Sequence, residues 1–100
     1  MGRIEYEKMY AAMHPSRLEI MKKLAAKKSY ASKLERQLGM NRRVVTFHLS
    51  MLQKYGLVTG EFGLENPPKG RPIAVKYFEL TEEGKRLLGH IKKACLVEIS

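Results

Sequence analysis

Ser29-Tyr30-Ala31-Ser32-Lys33-Leu34-Glu35-Arg36-Gln37-Leu38-Gly39-Met40-Asn41-Arg42-Arg43-Val44-Val45-Thr46-Phe47-His48-Leu49-Ser50-Met51-Leu52-Gln53-Lys54-Tyr55-Gly56 is the stretch that decides the fold. Its first part is a short helix over residues 30–38, with Ala31, Leu34 and Leu38 on one face. Ser29 is the expected N-cap, and Gly39 stops the helix as a left-handed C-cap does. Only Met40 and Asn41 then intervene before apolar residues recur at Val45, Leu49 and Leu52. That spacing predicts a second helix, capped by Asn41, running to about residue 54 and ended by Gly56.

Two helices joined by so short a turn form a helix-turn-helix. Burying Val45, Leu49 and Leu52 fixes the rotation of the second helix and decides what its other face presents. Arg42, Thr46 and Ser50 line up at i, i+4 and i+8, with Arg43 and Phe47 beside them. These are groups suited to a DNA major groove. Arginine donates bidentately to guanine O6 and N7, and threonine reaches base edges or a thymine methyl. Arg42 and Arg43 fall at the helix N-terminus, the part that enters the groove in this motif, where backbone N–H groups also favour phosphate. Which of the two arginines reads bases is open at this point.

Working outward, residues 4–13 carry Tyr6, Met9, Tyr10 and Met13 at helical spacing. Pro15 starts a further helix, to about residue 26, with Leu18, Met21, Leu24 and Ala25 as its stripe and Ser16 and Glu19 at capping-box spacing. Residues 57–64 and 73–80 favour strands, and Glu65-Asn66-Pro67-Pro68-Lys69-Gly70-Arg71-Pro72 between them is a loop, so the pair is a hairpin with a long tip. Thr81-Glu82-Glu83 opens the last helix, with a hydroxyl cap and two acids at the positive end of the dipole. Its apolar stripe is Leu87, Leu88, Ile91, Ala94 and Cys95. The expected architecture is mainly α with a small β-hairpin, in the order α-α-α-α-β-β-α.

Composition limits the function. One hundred residues make one domain, and so small a domain has a limited core in which to hide both terminal helices. The formal net charge is +9, of which residues 15–55 carry +8, with ten basic residues against two acids, Glu19 and Glu35. A polyanionic partner near that segment is the direct reading. No apolar run is long enough to span a membrane, and the first residues lack the apolar core of a signal peptide, so a cytoplasmic protein is expected. A single cysteine, Cys95, excludes an intrachain disulfide and a multi-cysteine zinc site. No Ser-His-Asp, paired-carboxylate or glycine-rich phosphate-loop constellation is present, so an enzyme is not expected.

The sequence also resembles a known family. Met13-His14-Pro15-Ser16-Arg17-Leu18-Glu19-Ile20-Met21-Lys22-Lys23-Leu24 is similar to the Asp-Pro-Thr-Arg-x-x-Ile-x-x-x-Leu opening of ArsR-type winged-helix regulators, with His14 where they carry an Asp cap. Residues 34–41 resemble their turn region, and residues 45–58 their Val-Ser-x-His-Leu-x-x-Leu-x-x-x-Gly-Leu-Val recognition helix and the strand start after it. Tyr77-Phe78-Glu79-Leu80-Thr81-Glu82-Glu83-Gly84 looks like the Tyr-x-Leu-Thr-x-x-Gly junction shared by ArsR, MarR and PadR relatives. The resemblance implies one winged helix-turn-helix domain over residues 1–100. The hairpin is then the wing, and residues 1–14 and 82–97 are the dimerisation helices. It also implies a homodimer that binds double-stranded DNA and regulates transcription. Asn41, Arg42, Arg43, Thr46, Phe47 and Ser50 would face the groove. Lys69 and Arg71 at the wing tip would meet phosphate or the minor groove, and Lys33 and Lys54 the backbone. Tyr6, Met9, Tyr10, Met13, Leu88, Ile91 and Cys95 would form the dimer interface. The scarcity of Asn and Gln, two of each, points to a thermophilic source, and we expect an archaeal member.

The chain departs from the family's metal sensors. Ser29-Tyr30-Ala31-Ser32-Lys33 offers no soft ligand where they carry Cys-x-Cys, and His90 on the last helix has Lys92, Lys93 and Cys95 for neighbours. No metal and no cofactor are expected, and no small-molecule effector is specified. His48 is open between a phosphate contact and a hydrogen-bonded structural role, and Phe47 between a thymine methyl and helix packing. Cys95 is open between a small core residue and a redox-sensing or intersubunit position. Two other functions stand beside the regulator: an architectural, weakly specific DNA-coating protein, and a winged helix docking protein or RNA in a larger machine.

Overall fold

A computed structural model describes residues 3–99, with side chains described for residues 6–93. The elements are α1 (Arg3–Ala12), α2 (Pro15–Ala26), α3 (Ala31–Leu38), α4 (Arg42–Lys54), β1 (Val58–Glu65), β2 (Ile73–Leu80) and α5 (Glu82–Ile99). This is the expected order.

The start of α2 differs from the sequence expectation. Pro15 stands at the first helical position, so the cap falls on His14, whose Nδ1 accepts the Ser16 N–H at 3.2 Å. Ser16 is thereby inside the helix, and Glu19 pairs with Lys22 (3.4 Å) instead of completing a capping box. The imidazole does what the carboxylate of the Asp-Pro opening would do.

Ser29 is not the cap of α3 either. The cap position is Tyr30, which makes no side-chain cap bond. Ser29 instead forms an antiparallel bridge with Phe78: its N–H donates to Phe78 O (3.0 Å) and its O accepts from Phe78 N–H (2.6 Å). A one-residue third strand thus lies along β2 and anchors the hairpin to the α2–α3 connection. Its buried Oγ has no hydrogen-bond partner.

β1 and β2 pair antiparallel from Val58↔Leu80 to Glu65↔Ile73. At the hairpin root, Thr81 joins three elements. Its N–H donates to Leu57 O (3.1 Å), its Oγ1 donates to Gly56 O (2.7 Å) and the same Oγ1 accepts the Gly84 N–H (3.0 Å). The end of α4 and the start of α5 are therefore tied together across the wing.

α2 lies at the centre and touches α3, α4, α5 and β2. Ile20, Met21 and Leu24 meet Leu34, Val45, Leu49 and Leu52 there, and Leu57, Val58, Phe78, Leu80, Leu87, Leu88 and Ile91 close the core. Burial of each large aliphatic side chain is worth about 1.5–3 kcal/mol. The last helix is therefore not a spare apolar stripe. Leu88 and Ile91, expected between subunits, are 3% and 4% exposed in the protomer's own core, and Leu87 lies with them. In α1 the core takes Ala11 and Ala12, with Met9 packed against it. Tyr6, Tyr10 and Met13 remain 67%, 78% and 53% exposed. Cys95 and Ala94 lie outside the residues with described side chains. Lys8 Nζ binds Glu83 Oε2 at 2.7 Å and holds α1 to α5.

Candidate nucleic-acid interface

The turn before α4 is set by Gly39, whose φ of 64° is the left-handed cap conformation that favours glycine. Asn41 then caps α4, its Oδ1 accepting the Arg43 N–H at 2.7 Å. Val45, Leu49 and Leu52 are fully buried, so the rotation of α4 is the one their spacing dictates. Asn41, Arg42, Arg43, Thr46, Phe47 and Ser50 are all exposed, and together they line one shallow, open depression. The six residues read from the sequence as a groove-facing set are thus a single surface. Val44, also exposed, lies on the same helix and was not singled out by the sequence pattern.

This surface has internal order. Ser50 Oγ donates back to Phe47 O (2.9 Å), which occupies its hydroxyl proton within the helix. Arg42 Nε donates to Glu35 Oε2 at 2.9 Å, an ion pair across the turn from α3 to α4. Among the described residues Arg43 has no side-chain partner.

Behind the surface lies a cluster that joins three helices. Arg17 donates from Nε to His48 Nδ1 (3.1 Å) and from a terminal nitrogen to Ala11 O (2.9 Å) at the end of α1. Its guanidinium carbon sits 5.9 Å from the centre of the exposed Phe47 ring. The rings of His14 and His48 are 4.6 Å apart. His48 is 6% exposed, and burial, then the neighbouring His14 and Arg17, lower its pKa from the ordinary value. It accepts at Nδ1 from a cation, so its neutral form fits the site. Of the two roles open for His48, the structure places it in the packed, hydrogen-bonded one. Nothing in the spacing of residue 17 marks it as a partner of residue 48. Only the packing of α2 on α4 brings the two together.

At the wing tip Lys69 and Arg71 are exposed on either side of Gly70, whose φ is 104°. Lys54 is exposed at the end of α4, its Nζ 5.9 Å from the Tyr55 ring, whereas Lys33 is half-buried on α3. The wing also exposes Phe62, Leu64 and Ile73. On the face opposite Phe62 and Leu64, which also carries Ile73, the Tyr77 hydroxyl donates to a Glu65 carboxylate oxygen, and that bond is the main cause of a phenol pKa pushed up to about 12. Lys28 lies over the Tyr77 ring at 5.0 Å. Among the described residues, no three His, Cys, Asp or Glu side chains converge as metal ligands, and no helix is long and apolar enough to cross a membrane.

Residues 14–59 match the family described as bacterial regulatory protein, arsR family. The match runs from the cap of α2 through the helix-turn-helix to the start of β1. No curated protein matches the sequence. Among solved structures, the homodimeric winged helix-turn-helix DNA-binding domain Mb0332 from Mycobacterium bovis is 18% identical with a TM-score of 0.73, covering 95% of this chain and 82% of its own. The transcriptional repressor BigR from Xylella fastidiosa is 20% identical with a TM-score of 0.70, covering 96% and 87%. Diamide-treated YodB from B. subtilis is 13% identical with a TM-score of 0.79, covering 96% and 90%. These likenesses establish the winged helix-turn-helix fold over nearly the whole chain.

Proposed function

We propose that the protein is a sequence-specific regulator of transcription that binds double-stranded DNA as a homodimer. The observation that carries this reading is the outer face of α4, where Asn41, Arg42, Arg43, Thr46, Phe47 and Ser50 form one exposed surface opposite a buried stripe. A helix of this kind, presented at its N-terminus by a short turn, offers hydrogen-bond donors and a methyl group to base edges. The family match over residues 14–59 and the repressor and DNA-binding relatives of the same fold support it. Lys69 and Arg71 on the wing, with Lys33 and Lys54, then contact phosphates and set orientation. The dimer forms through α1 and the turn after it, where Tyr6, Tyr10 and Met13 leave apolar surface uncovered, and through α5. A cytoplasmic location and a thermophilic, archaeal origin belong to the same proposal.

The concentration of positive charge in residues 15–55 favours a second reading, an architectural protein that coats DNA with little preference. One experiment separates the two. Duplexes selected by the protein from a random pool compete against bulk DNA at fixed salt. A regulator prefers its selected site by about 10³-fold or more, whereas a coating protein holds both alike.

A further inference from the structure

We infer that Arg42 is the base-reading arginine of α4 and that Glu35 is its positioning residue, with Arg43 serving the phosphate backbone. This deepens the proposed function and rests on it.

The inference starts from a charge in an unfavourable place. Glu35 is one of only two acids in residues 15–55, and the other, Glu19, pairs with Lys22 on its own helix. Glu35 instead reaches across the turn to the surface assigned to DNA. A carboxylate there repels every phosphate, whatever the sequence. What it provides in return is geometric. Its oxygen takes the Nε–H of Arg42 at 2.9 Å, which restrains the guanidinium of a long, exposed side chain. Nε is the donor a terminal fork does not need. The two terminal nitrogens make no other bond among the described residues, and side by side they match guanine O6 and N7. The arginine is thus held before DNA arrives, and less freedom is lost when it reads a base. Arg43 is its opposite. Its backbone N–H is engaged by the Asn41 cap, but its side chain has no partner among the described residues. A free cation beside a helix N-terminus suits phosphate, which accepts many approach geometries.

Such an arrangement trades affinity for discrimination: the acid weakens binding to all DNA while sharpening the response to one base pair. The test is to determine site preferences from random duplexes, and affinity for bulk DNA, for wild type, Glu35→Ala, Arg42→Ala, Arg43→Ala and the Glu35→Ala/Arg42→Ala double variant. Thermal melts verify that each is folded. Arg42→Ala is expected to lose about 5- to 150-fold of preference at one position per half-site. Glu35→Ala is expected to lose part of the preference at that same position while binding bulk DNA more tightly. Adding Glu35→Ala to Arg42→Ala should change that position no further, a non-additivity that a merely structural staple would not produce. Arg43→Ala should weaken all sites alike and reduce the salt slope by about 0.9. Preference lost in Arg43→Ala and kept in Arg42→Ala overturns the assignment, as does an unchanged preference in Glu35→Ala. A wild type with no site preference overturns the functional reading, and this inference with it.

Discussion

Alanine in place of glycine inside a helix ordinarily stabilises, by about 1 kcal/mol. At Gly84, in the first turn of α5, the sign should reverse. A Cβ built there lies 2.1 Å from Leu57 O and 3.1 Å from Leu57 C, with Leu80 Cδ2 at 3.3 Å. Contacts below 3.0 Å are essentially never made by a real Cβ, so the backbone must part by about 1 Å. Leu57 is poorly able to give way. Its O accepts the Thr81 N–H at 3.1 Å, and its own N–H donates to Leu52 O at 2.9 Å. Separating α5 from residue 57 therefore strains the hairpin root and the end of α4 together. Overpacking typically costs about 1–3 kcal/mol, and a backbone neighbour places this case at the upper end. After the propensity gain, the net loss is about 2 kcal/mol. In a domain of this size that lowers Tm by roughly 8–16 °C. Gly89, five residues along the same helix, is the control. A Cβ there meets nothing within 4 Å, so Gly89→Ala should gain about 1 kcal/mol and raise Tm by roughly 4–8 °C. Both are read by thermal unfolding followed by circular dichroism at one fixed protein concentration, since the Tm of a self-associating chain depends on concentration. If Gly84→Ala melts at or above wild type, the close approach of α5 to Leu57 is not a constraint and the reasoning fails.

Three further outcomes are expected. His48 is held below its ordinary pKa of 6.5, so the folded chain resists a proton that the unfolded chain accepts. The stability tied to neutral His48 is thus complete above pH 6.5 and falls as pH drops through 6.5 toward the lowered folded value; Tm measured from about pH 5 to 8 should decline on the acid side, and less steeply in His48→Gln. For DNA binding, log K should fall with log salt by about 0.9 per phosphate neutralised, and Lys69→Ala and Arg71→Ala should each flatten that slope; unchanged slopes would remove the wing from the interface. Sedimentation at micromolar concentration should give about twice the 11.5 kDa chain mass, and Tyr6→Ser with Tyr10→Ser should shift it to monomer with helix content retained; a monomeric wild type would refute the dimer.

The sequence by itself determined what depends on local periodicity. The α4 stripe of Val45, Leu49 and Leu52 could be satisfied only by one rotation, and that rotation placed Arg42, Arg43, Thr46, Phe47 and Ser50 on the far side. Gly39, Asn41 and Thr81 were legible because a cap acts within a few residues of itself. The tertiary structure decided everything that joins distant residues. Ser29 reads as a cap, yet the backbone of Phe78, far along the chain, claims it as a strand. Leu88 and Ile91 read as surplus apolar surface, yet the protomer's core absorbs them, because hydrophobic spacing shows that a face must be buried and not against what. Glu35 with Arg42 and Arg17 with His48 are pairs between different helices, 7 and 31 residues apart, so no periodicity within one helix or strand relates the partners. Charge and hydrogen bonding act through space, so the partners that tune the outer surface of α4 appear only once α2, α3 and α4 are packed.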